Sequence, residues 1–149
     1  MKKIYLFICL LMATYQALAQ CNPALWNHVY HPDRFTVWKR CKTVTGVILD
    51  AKRKEADGDY HIHLKLDPGQ PRLLNQKNMN RQKGCLVLEI ICVNPVTQDD
   101  AIGPCKHCPH SVIIPKTGDH VKVTGSFVLD NQGGHGWNEI HPVFKLEIL

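Results

Sequence analysis

Polar and apolar residues alternate most regularly between positions 59 and 67 of the chain. The apolar positions are Tyr60, Ile62, Leu64 and Leu66, and the polar positions are Asp59, His61, His63, Lys65 and Asp67. Because successive side chains of a β-strand point to opposite faces, this alternation predicts a strand with one face in an apolar core. The other face, which carries both histidines, is expected to contact solvent.

Four more stretches have the composition of strands, being rich in β-branched or alternating apolar residues. They are residues 41–51, 85–92, 120–130 and 139–148. The second of them is so apolar that we expect burial on both faces. Gly46 and Gly125 each lie in the middle of a stretch, as is typical where a strand bends. Five mostly antiparallel strands predict an all-β fold, a small five-stranded OB-like Greek-key barrel.

Short helical turns and one long loop are predicted between these strands. Asn22 followed by Pro23 is typical of a helix start, because asparagine caps free N–H groups and proline is accepted at the first position. Residues 97–100 (TQDD) resemble a second helix start. Residues 68–84 are rich in Pro, Gly and Asn and predict a loop.

The first nineteen residues have the pattern of a cleaved secretory signal. Two lysines precede the apolar stretch 4–13, which is too short to span a bilayer, and small residues at 17 and 19 precede Gln20. We therefore predict an exported protein, periplasmic or extracellular, with one domain over 20–149 and no transmembrane segment. A lipid anchor on Cys21 is the alternative, which Gln20 disfavours because that processing requires a small residue before the cysteine.

An even number of cysteines follows the predicted signal, which is typical of disulfides in an exported chain. They are Cys21, Cys41, Cys85, Cys92, Cys105 and Cys108. Their order predicts a Cys21–Cys41 bond, with the next two joined to the last two in either combination. The CxxC at 105–108 leaves two alternatives: a redox pair, or a zinc site completed by Cys85, Cys92 or His110.

The chain is mildly basic, with a formal net charge of +5 that includes the two lysines of the predicted signal. This charge permits a polyanionic partner without requiring one. Four cations of the predicted loop are candidates for following a phosphate or sulfate backbone. They are Arg72, Lys77, Arg81 and Lys83. The loop has no aromatic side chain on which bases stack, so a solvated loop is the alternative.

The stretch HGWNEIHPV (135–143) concentrates side chains that bind ligands or metals. On an extended segment Glu139 and His141 point to the same face. Together with the polar face of 59–67, the candidate ligand-binding residues are Asp59, His61, His63, Trp137, Glu139 and His141. Imidazole and carboxylate are also zinc ligands. The alternative metal set, for zinc or calcium, is His61, His135, Glu139 and His141.

A structural role for the same stretch is equally consistent with its composition. Glycines at 133, 134 and 136 and a proline at 142 are typical of a turn that leads into a strand. Trp137 would then fill one end of the barrel, while Glu139 and His141 would bond backbone groups left free at that corner. We favour this interpretation and assign no catalytic residue and no cofactor.

Several segments resemble a group of small exported prokaryotic proteins of OB-like character. They are FTVWKRCKTVTGVI, DGDYHIHLKLDPGQ, NPVTQDDAI, GDHVKVTGSFVLD and HGWNEIHPV, and the likeness covers about residues 21–145. The resemblance implies an OB-like fold and export, and it implies no substrate. A weaker similarity to thermonucleases, through residues 56–59 (ADGD), breaks down because Tyr60 follows and no arginine pair matches.

The sequence thus favours an exported OB-like binding or interaction module of unknown ligand over an enzyme. The first alternative is a metal-dependent hydrolase. Its residues would be Asp59, His61, His135, Glu139 and His141. The second alternative is a structural periplasmic domain that recognises another protein by the edge of its barrel.

Overall fold

The computed structural model describes residues 21–109 and 112–149 of the chain. The predicted signal 1–19, Gln20 at its cleavage site and His110 of the alternative zinc site lie outside the described residues. Within the described ranges, no helix is both long and apolar enough to cross a membrane.

Five strands form one sheet, as the hydrophobic pattern predicts. Their bounds are β1 Phe35–Lys54, β2 Tyr60–Leu66, β3 Leu86–Ile90, β4 His120–Asp130 and β5 Asn138–Ile148. β1 is longer at both ends than the predicted stretch 41–51. All five residues of β3 are buried, which confirms the expectation that this apolar strand has no exposed face.

The strands follow the order β1-β2-β3-β5-β4, and β1 also pairs with β4, so that the sheet closes on itself. Every pair is antiparallel except β3 with β5, which is parallel. The enclosed core consists of aliphatic side chains from all five strands. Burying such side chains is the main source of stability in a domain of this size.

A short helix occupies part of the segment predicted as a loop, so that prediction is wrong for residues 76–81. Helix α1 runs from Gln76 to Arg81 and is capped by asparagines. The Asn75 side chain accepts hydrogen bonds from the backbone N–H groups of Lys77 and Asn78, and the Asn78 side chain accepts from the backbone N–H of Asn75. These asparagines, which favour turns in a sequence pattern, here satisfy the free groups of a helix start.

The two predicted helical turns are present. Pro23–His28 is a 3-10 helix whose first free N–H, that of Ala24, donates to the Asn22 side chain. Near residues 97–100 the chain forms a 3-10 turn, Asp99–Ala101, which continues into the short helix α2, Ile102–Cys105. Neither of these last two elements has a side-chain cap.

The mid-strand glycines lie where two strands approach too closely for a side chain. A Cβ on Gly125 of β4 would stand 2.3 Å from the Ile140 side chain and 2.5 Å from the Pro142 carbonyl oxygen. On Gly46 of β1 it would stand 2.3 Å from the Lys65 carbonyl oxygen. The glycines are therefore required by the close contacts of the closed sheet.

Two disulfides are present, Cys21–Cys41 as predicted and Cys92–Cys105. The prediction that Cys85 and Cys108 are also bonded is wrong, because both are free, buried thiols. Cys85 precedes β3 and Cys92 follows it, and the strand alone spans about 13 Å. Cys92, at the end of β3 that faces the 105–108 segment, bonds Cys105, and Cys85 lies at the opposite end of the strand.

We predict that the oxidised protein lacking residues 1–19 titrates two thiols per chain when unfolded without reductant, since Cys85 and Cys108 are the free cysteines. A thiol-specific chromophore in denaturant measures this number. Cys85→Ser and Cys108→Ser should each remove one thiol. A count of zero would restore the fully paired arrangement that the sequence suggests.

We also predict that Gly125→Ala lowers the free energy of unfolding by about 1–3 kcal/mol, the usual cost of forcing extra atoms into a packed site. Gly133→Ala is the matched control, because its Cβ would meet no atom within 4 Å. Its effect should stay within about 0.5 kcal/mol. Urea denaturation of the wild type and the two variants measures these free energies. Equal stabilities of Gly125→Ala and the wild type would contradict the close approach of the strands.

Candidate functional site

Charged side chains of three neighbouring strands lie side by side on the outer face of the closed sheet. His61 of β2 is opposite Glu89 of β3, and Val87 of β3 is opposite Glu139 of β5. His141 lies two residues beyond Glu139 and so points to the same face. The intervening residues of the three strands belong to the core cluster. The alternation of each strand therefore gives the sheet one apolar and one charged face.

The expectation that His61 and His63 face solvent is wrong, because the exposed fractions are only 3% and 7%. Gln82, just after α1, covers them: its side-chain oxygen lies 3.3 Å from Nε2 of His61 and 2.7 Å from Nε2 of His63. On the other side the Phe35 ring packs 4.5 Å from the ring of His141. The outer face of β2, β3 and β5 is thus a second, polar interior.

Glu139 connects the residues of the HGWNEIHPV stretch. One of its carboxylate oxygens accepts a hydrogen bond of 2.9 Å from the indole N–H of Trp137, and the other lies 3.1 Å from Nδ1 of His141. The far nitrogen of that histidine, Nε2, is 3.8 Å from the Asp59 carboxylate. Although burial alone lowers it, the hydrogen bond and charge of Glu139 raise the pKa of His141.

Glu89 is the most unusual group of the cluster. Its Oε1 lies 2.7 Å from Nδ1 of His61, while its Oε2 is buried and has no hydrogen-bond partner among the described residues. Burial holds the pKa of Glu89 well above the ordinary carboxyl range, and the charges of Glu139 and Asp59 add to the effect. A buried carboxyl oxygen without a partner is costly and indicates a place for a ligand.

Asp59 directly precedes β2 and connects the buried cluster with the segment that follows β3. Its Oδ1 accepts a hydrogen bond of 2.9 Å from the backbone N–H of Cys92. Burial raises the pKa of Asp59 to about 7, against the opposing influence of the His141 charge. A carboxyl group that titrates near neutrality in a cavity wall is a recognised sign of a functional site.

A cavity of about 390 Å³ opens above this cluster. Six acidic residues line it: Glu55, Asp57, Asp59, Glu89, Asp130 and Glu139. Arg34 is the arginine among the lining residues, and Asp130 already pairs with it at 3.8 Å. Trp137 forms part of the wall, with its indole stacked 4.1 Å from the ring of His135.

The cavity collects most of the residues that the sequence singles out. Of the candidate ligand-binding set, Asp59, His61, Trp137 and Glu139 line it, whereas His63 and His141 lie behind the wall. The HGWNEIHPV stretch is thus both buried and part of a cavity. The prediction that Glu139 and His141 bond free backbone groups is wrong, because Glu139 bonds the side chains of Trp137 and His141. The four cations of the predicted polyanion site are exposed on and around α1, and none of them lines the cavity.

The alternative metal set, His61, His135, Glu139 and His141, is not gathered around one point. Both oxygens of Glu139 are engaged by its neighbours, and Nδ1 of His135 lies 2.6 Å from Asp130. Over residues 21–109 and 112–149, the one group of three possible ligands within 4.8 Å of one another is Asp59, Cys92 and Cys105. A metal ion held by the four-residue set remains a prediction.

Sequence reasoning missed Glu89, which lies in the stretch CLVLEIIC. The apolar neighbours indicate a buried strand, and that conclusion draws attention away from its single charged residue. The signal was present nevertheless, because an acidic side chain in a strand buried on both faces must meet a partner or a ligand. Arg34 and Glu55 were missed as cavity residues because each stands in or beside an irregular segment.

Comparison of the chain with protein-family models, with curated proteins and with solved structures finds no match.

We predict that the protein is more stable at pH 5 than at pH 8 because of Asp59. The pKa of this carboxyl is raised to about 7 in the folded state, so the folded chain holds a proton at pH 5 that the unfolded chain has released. The stabilisation should amount to about 2–3 kcal/mol and be lost as the pH rises through 7. Urea denaturation at both pH values measures it.

Asp59→Asn is the matched variant, since its side-chain oxygen still accepts the hydrogen bond from Cys92. The variant should lose that part of the pH dependence and gain stability relative to the wild type at pH 8. A wild-type difference between the two pH values that is unchanged in Asp59→Asn would contradict the assignment.

Proposed function

We propose that this protein is an exported OB-like binding module whose acidic cavity holds a small organic molecule with a positively charged group. Support for the OB-like assignment comes from the closed five-stranded sheet with its order β1-β2-β3-β5-β4. OB-folds bind their ligands with the β1–β2 and β4–β5 loops and the face of β2 and β3. Here Asp57 and Trp137 belong to those two loops, and both line the cavity.

The charge of the cavity favours a cation. Its wall has six carboxyl groups and one arginine. The other titratable side chains of the wall are three histidines and one tyrosine: His31, His61, His135 and Tyr30. A wall of one predominant sign raises the local concentration of ligands of the opposite sign. Carboxyl groups outnumber the single arginine, so an anionic ligand would meet net repulsion, and amines and guanidines are the fitting class.

The size of the cavity favours an organic molecule over a bare ion. A volume of about 390 Å³ lies at the lower end of the range of small-molecule sites, roughly 300–1,000 Å³. The wall also offers the Trp137 ring system, and aromatic faces attract organic cations. A single ion would leave most of this space to water.

The observation that carries the proposal is the free carboxyl oxygen of Glu89. Oε2 is buried without a partner among the described residues, and Glu89 is one of the residues that line the cavity. Hydrogen bonds that involve a charged group contribute about 1.5–3 kcal/mol, so an amine that donates to this oxygen would compensate for its burial. Without a ligand, the raised pKa of Glu89 favours a protonated carboxyl.

A hydrolase is the second candidate, and the pKa of Asp59 favours it. A carboxyl group with a pKa of about 7 is suited to general acid catalysis near neutral pH. Under this alternative Asp59→Asn would keep ligand affinity and lose turnover of chromogenic esters, phosphodiesters or glycosides. A binding module gives no turnover in either protein.

We predict that organic cations bind and that Glu89→Gln weakens their binding. Calorimetric titration with putrescine and agmatine, and with the uncharged 1,4-butanediol, tests this directly. Affinity for the cations should fall about tenfold or more in the variant, the equivalent of losing one charged hydrogen bond. It should also rise from pH 5 to pH 8, because a cation competes with protons on Asp59 and Glu89.

Glu147→Gln is the matched control, because Glu147 is also a glutamate of a strand, β5, but it is part-exposed and pairs with Lys122 and Lys145 outside the cavity. This variant should bind the cations like the wild type. Equal losses in Glu89→Gln and Glu147→Gln, or no binding of any cation, would rule the proposal out. Zinc and calcium chloride titrations run beside them test the metal alternative.

A further inference from the structure

A second constellation with ligand chemistry lies behind the cavity, where the 55–59 loop meets the segment after β3. One carboxylate oxygen of Asp59 and the sulfur atoms of Cys92 and Cys105 all lie within 4.8 Å of one another. Asp59 and Cys92 are buried, and Cys105 is part-buried. The two sulfurs form a disulfide, so the group has one chemistry when oxidised and another when reduced.

The spacing suits a small, thiophilic divalent ion once the sulfurs are reduced. Zinc binds thiolate sulfur at about 2.3 Å and carboxylate oxygen at about 2.0–2.2 Å. Tetrahedral geometry therefore keeps its ligand atoms about 3.5–4 Å apart. The Asp59 oxygen and the two sulfurs already lie within 4.8 Å of one another, and opening the disulfide frees the sulfurs to separate to the spacing that zinc requires.

A third thiol is available beside these two. Cys108 is free and buried, and its backbone N–H donates to the carbonyl of Cys105, which forms the tight turn of a CxxC segment. Burial raises the pKa of the Cys108 thiol, and the charge of Asp59 contributes to the shift. Cys108 also belongs to the same buried apolar cluster as Cys92, and Cys105 packs against that cluster.

Backbone hydrogen bonds hold the two sides of this group together independently of the disulfide. The N–H of Cys92 donates to the Asp59 side chain at 2.9 Å, and the N–H of Asn94 donates to the Gly58 carbonyl at 2.9 Å. The N–H of Thr97 donates to the Ala56 carbonyl at 2.8 Å. Because these bonds do not involve sulfur, the 55–59 loop and the segment after β3 stay together when the disulfide opens, while the two sulfurs are free to separate.

We propose that the Cys92–Cys105 disulfide is the oxidised form of a zinc site, in which Asp59, Cys92, Cys105 and Cys108 are the ligands of the reduced form. A phosphine or dithiol reductant supplies two electrons, the S–S bond breaks, and each sulfur takes up a proton. Zinc then displaces the protons of the three thiols, and the Asp59 carboxylate binds in its ionised form. Oxidation by a disulfide or by oxygen reverses the sequence and releases the ion.

The test is an anaerobic titration of the full chain with Co²⁺, a spectroscopic substitute for zinc, with and without prior reduction by a phosphine. The reduced protein should bind one ion per chain with thiolate-to-cobalt charge-transfer absorption, and added zinc should displace it. The oxidised protein should show no such absorption. Circular dichroism measured on the same samples establishes whether the reduced chain is folded.

Four variants identify the ligands. Cys92→Ser and Cys105→Ser should lose the charge-transfer absorption, and Asp59→Asn should weaken binding at least about tenfold, the lower end of what loss of even an outer-shell partner costs. Cys108→Ser should show weaker charge-transfer absorption than the wild type, because two thiolates instead of three bind the ion.

Cys85→Ser is the matched control, because Cys85 is also a free, buried thiol but precedes β3. It should bind Co²⁺ like the wild type, as should a Cys21→Ser, Cys41→Ser double variant. Binding that persists in Cys92→Ser and Cys105→Ser, binding that depends on Cys85, or a reduced chain that is unfolded or takes up no ion would each overturn the proposal.

Discussion

The parallel pairing of β3 with β5 determines where the charged groups of this protein lie. It sets Val87 opposite Glu139, and the antiparallel pairing with β2 on the other edge sets Glu89 opposite His61. A shift of either register by one residue would turn these side chains into the aliphatic core. The closed sheet therefore fixes the cluster through backbone hydrogen bonds, before any side chain of the cluster contributes.

Burial of this cluster is tolerated because its members satisfy one another. Glu139 accepts from Trp137 and interacts with His141, while His61 lies between Glu89 and Gln82. Buried ionisable groups cost free energy unless they are paired and hydrogen-bonded. The two places where pairing is incomplete, Oε2 of Glu89 and Nε2 of His141, are where the cluster retains unused binding capacity.

The sequence predicts the strands of this fold well and their surroundings poorly. Alternation along residues 59–67 correctly separates Ile62 from His61, because strand geometry alone decides which residues share a face. The same alternation does not show that Gln82 covers the polar face, since that contact joins segments about twenty residues apart. Cys85 is a second example. The sequence predicts a disulfide for it, but whether a cysteine pairs depends on which end of β3 it occupies, and Cys85 is free.

The candidate site shows a similar division. Asp59, His61, Trp137 and Glu139 were found from their clustering in two short motifs, and all four line the cavity. Glu89 and Arg34 were not, because neither belongs to a motif and both reach the site through tertiary structure.

The Cys21–Cys41 disulfide has a consequence for how the cavity opens. Residues 30, 31 and 34 line the cavity and belong to the segment that precedes β1. The disulfide joins this segment back to β1 over a separation of 20 residues, a closure that removes about 3 kcal/mol of chain entropy from the unfolded state. One cavity wall is thereby part of a closed covalent ring, and its local unfolding has a free-energy cost that the same segment without the disulfide would lack.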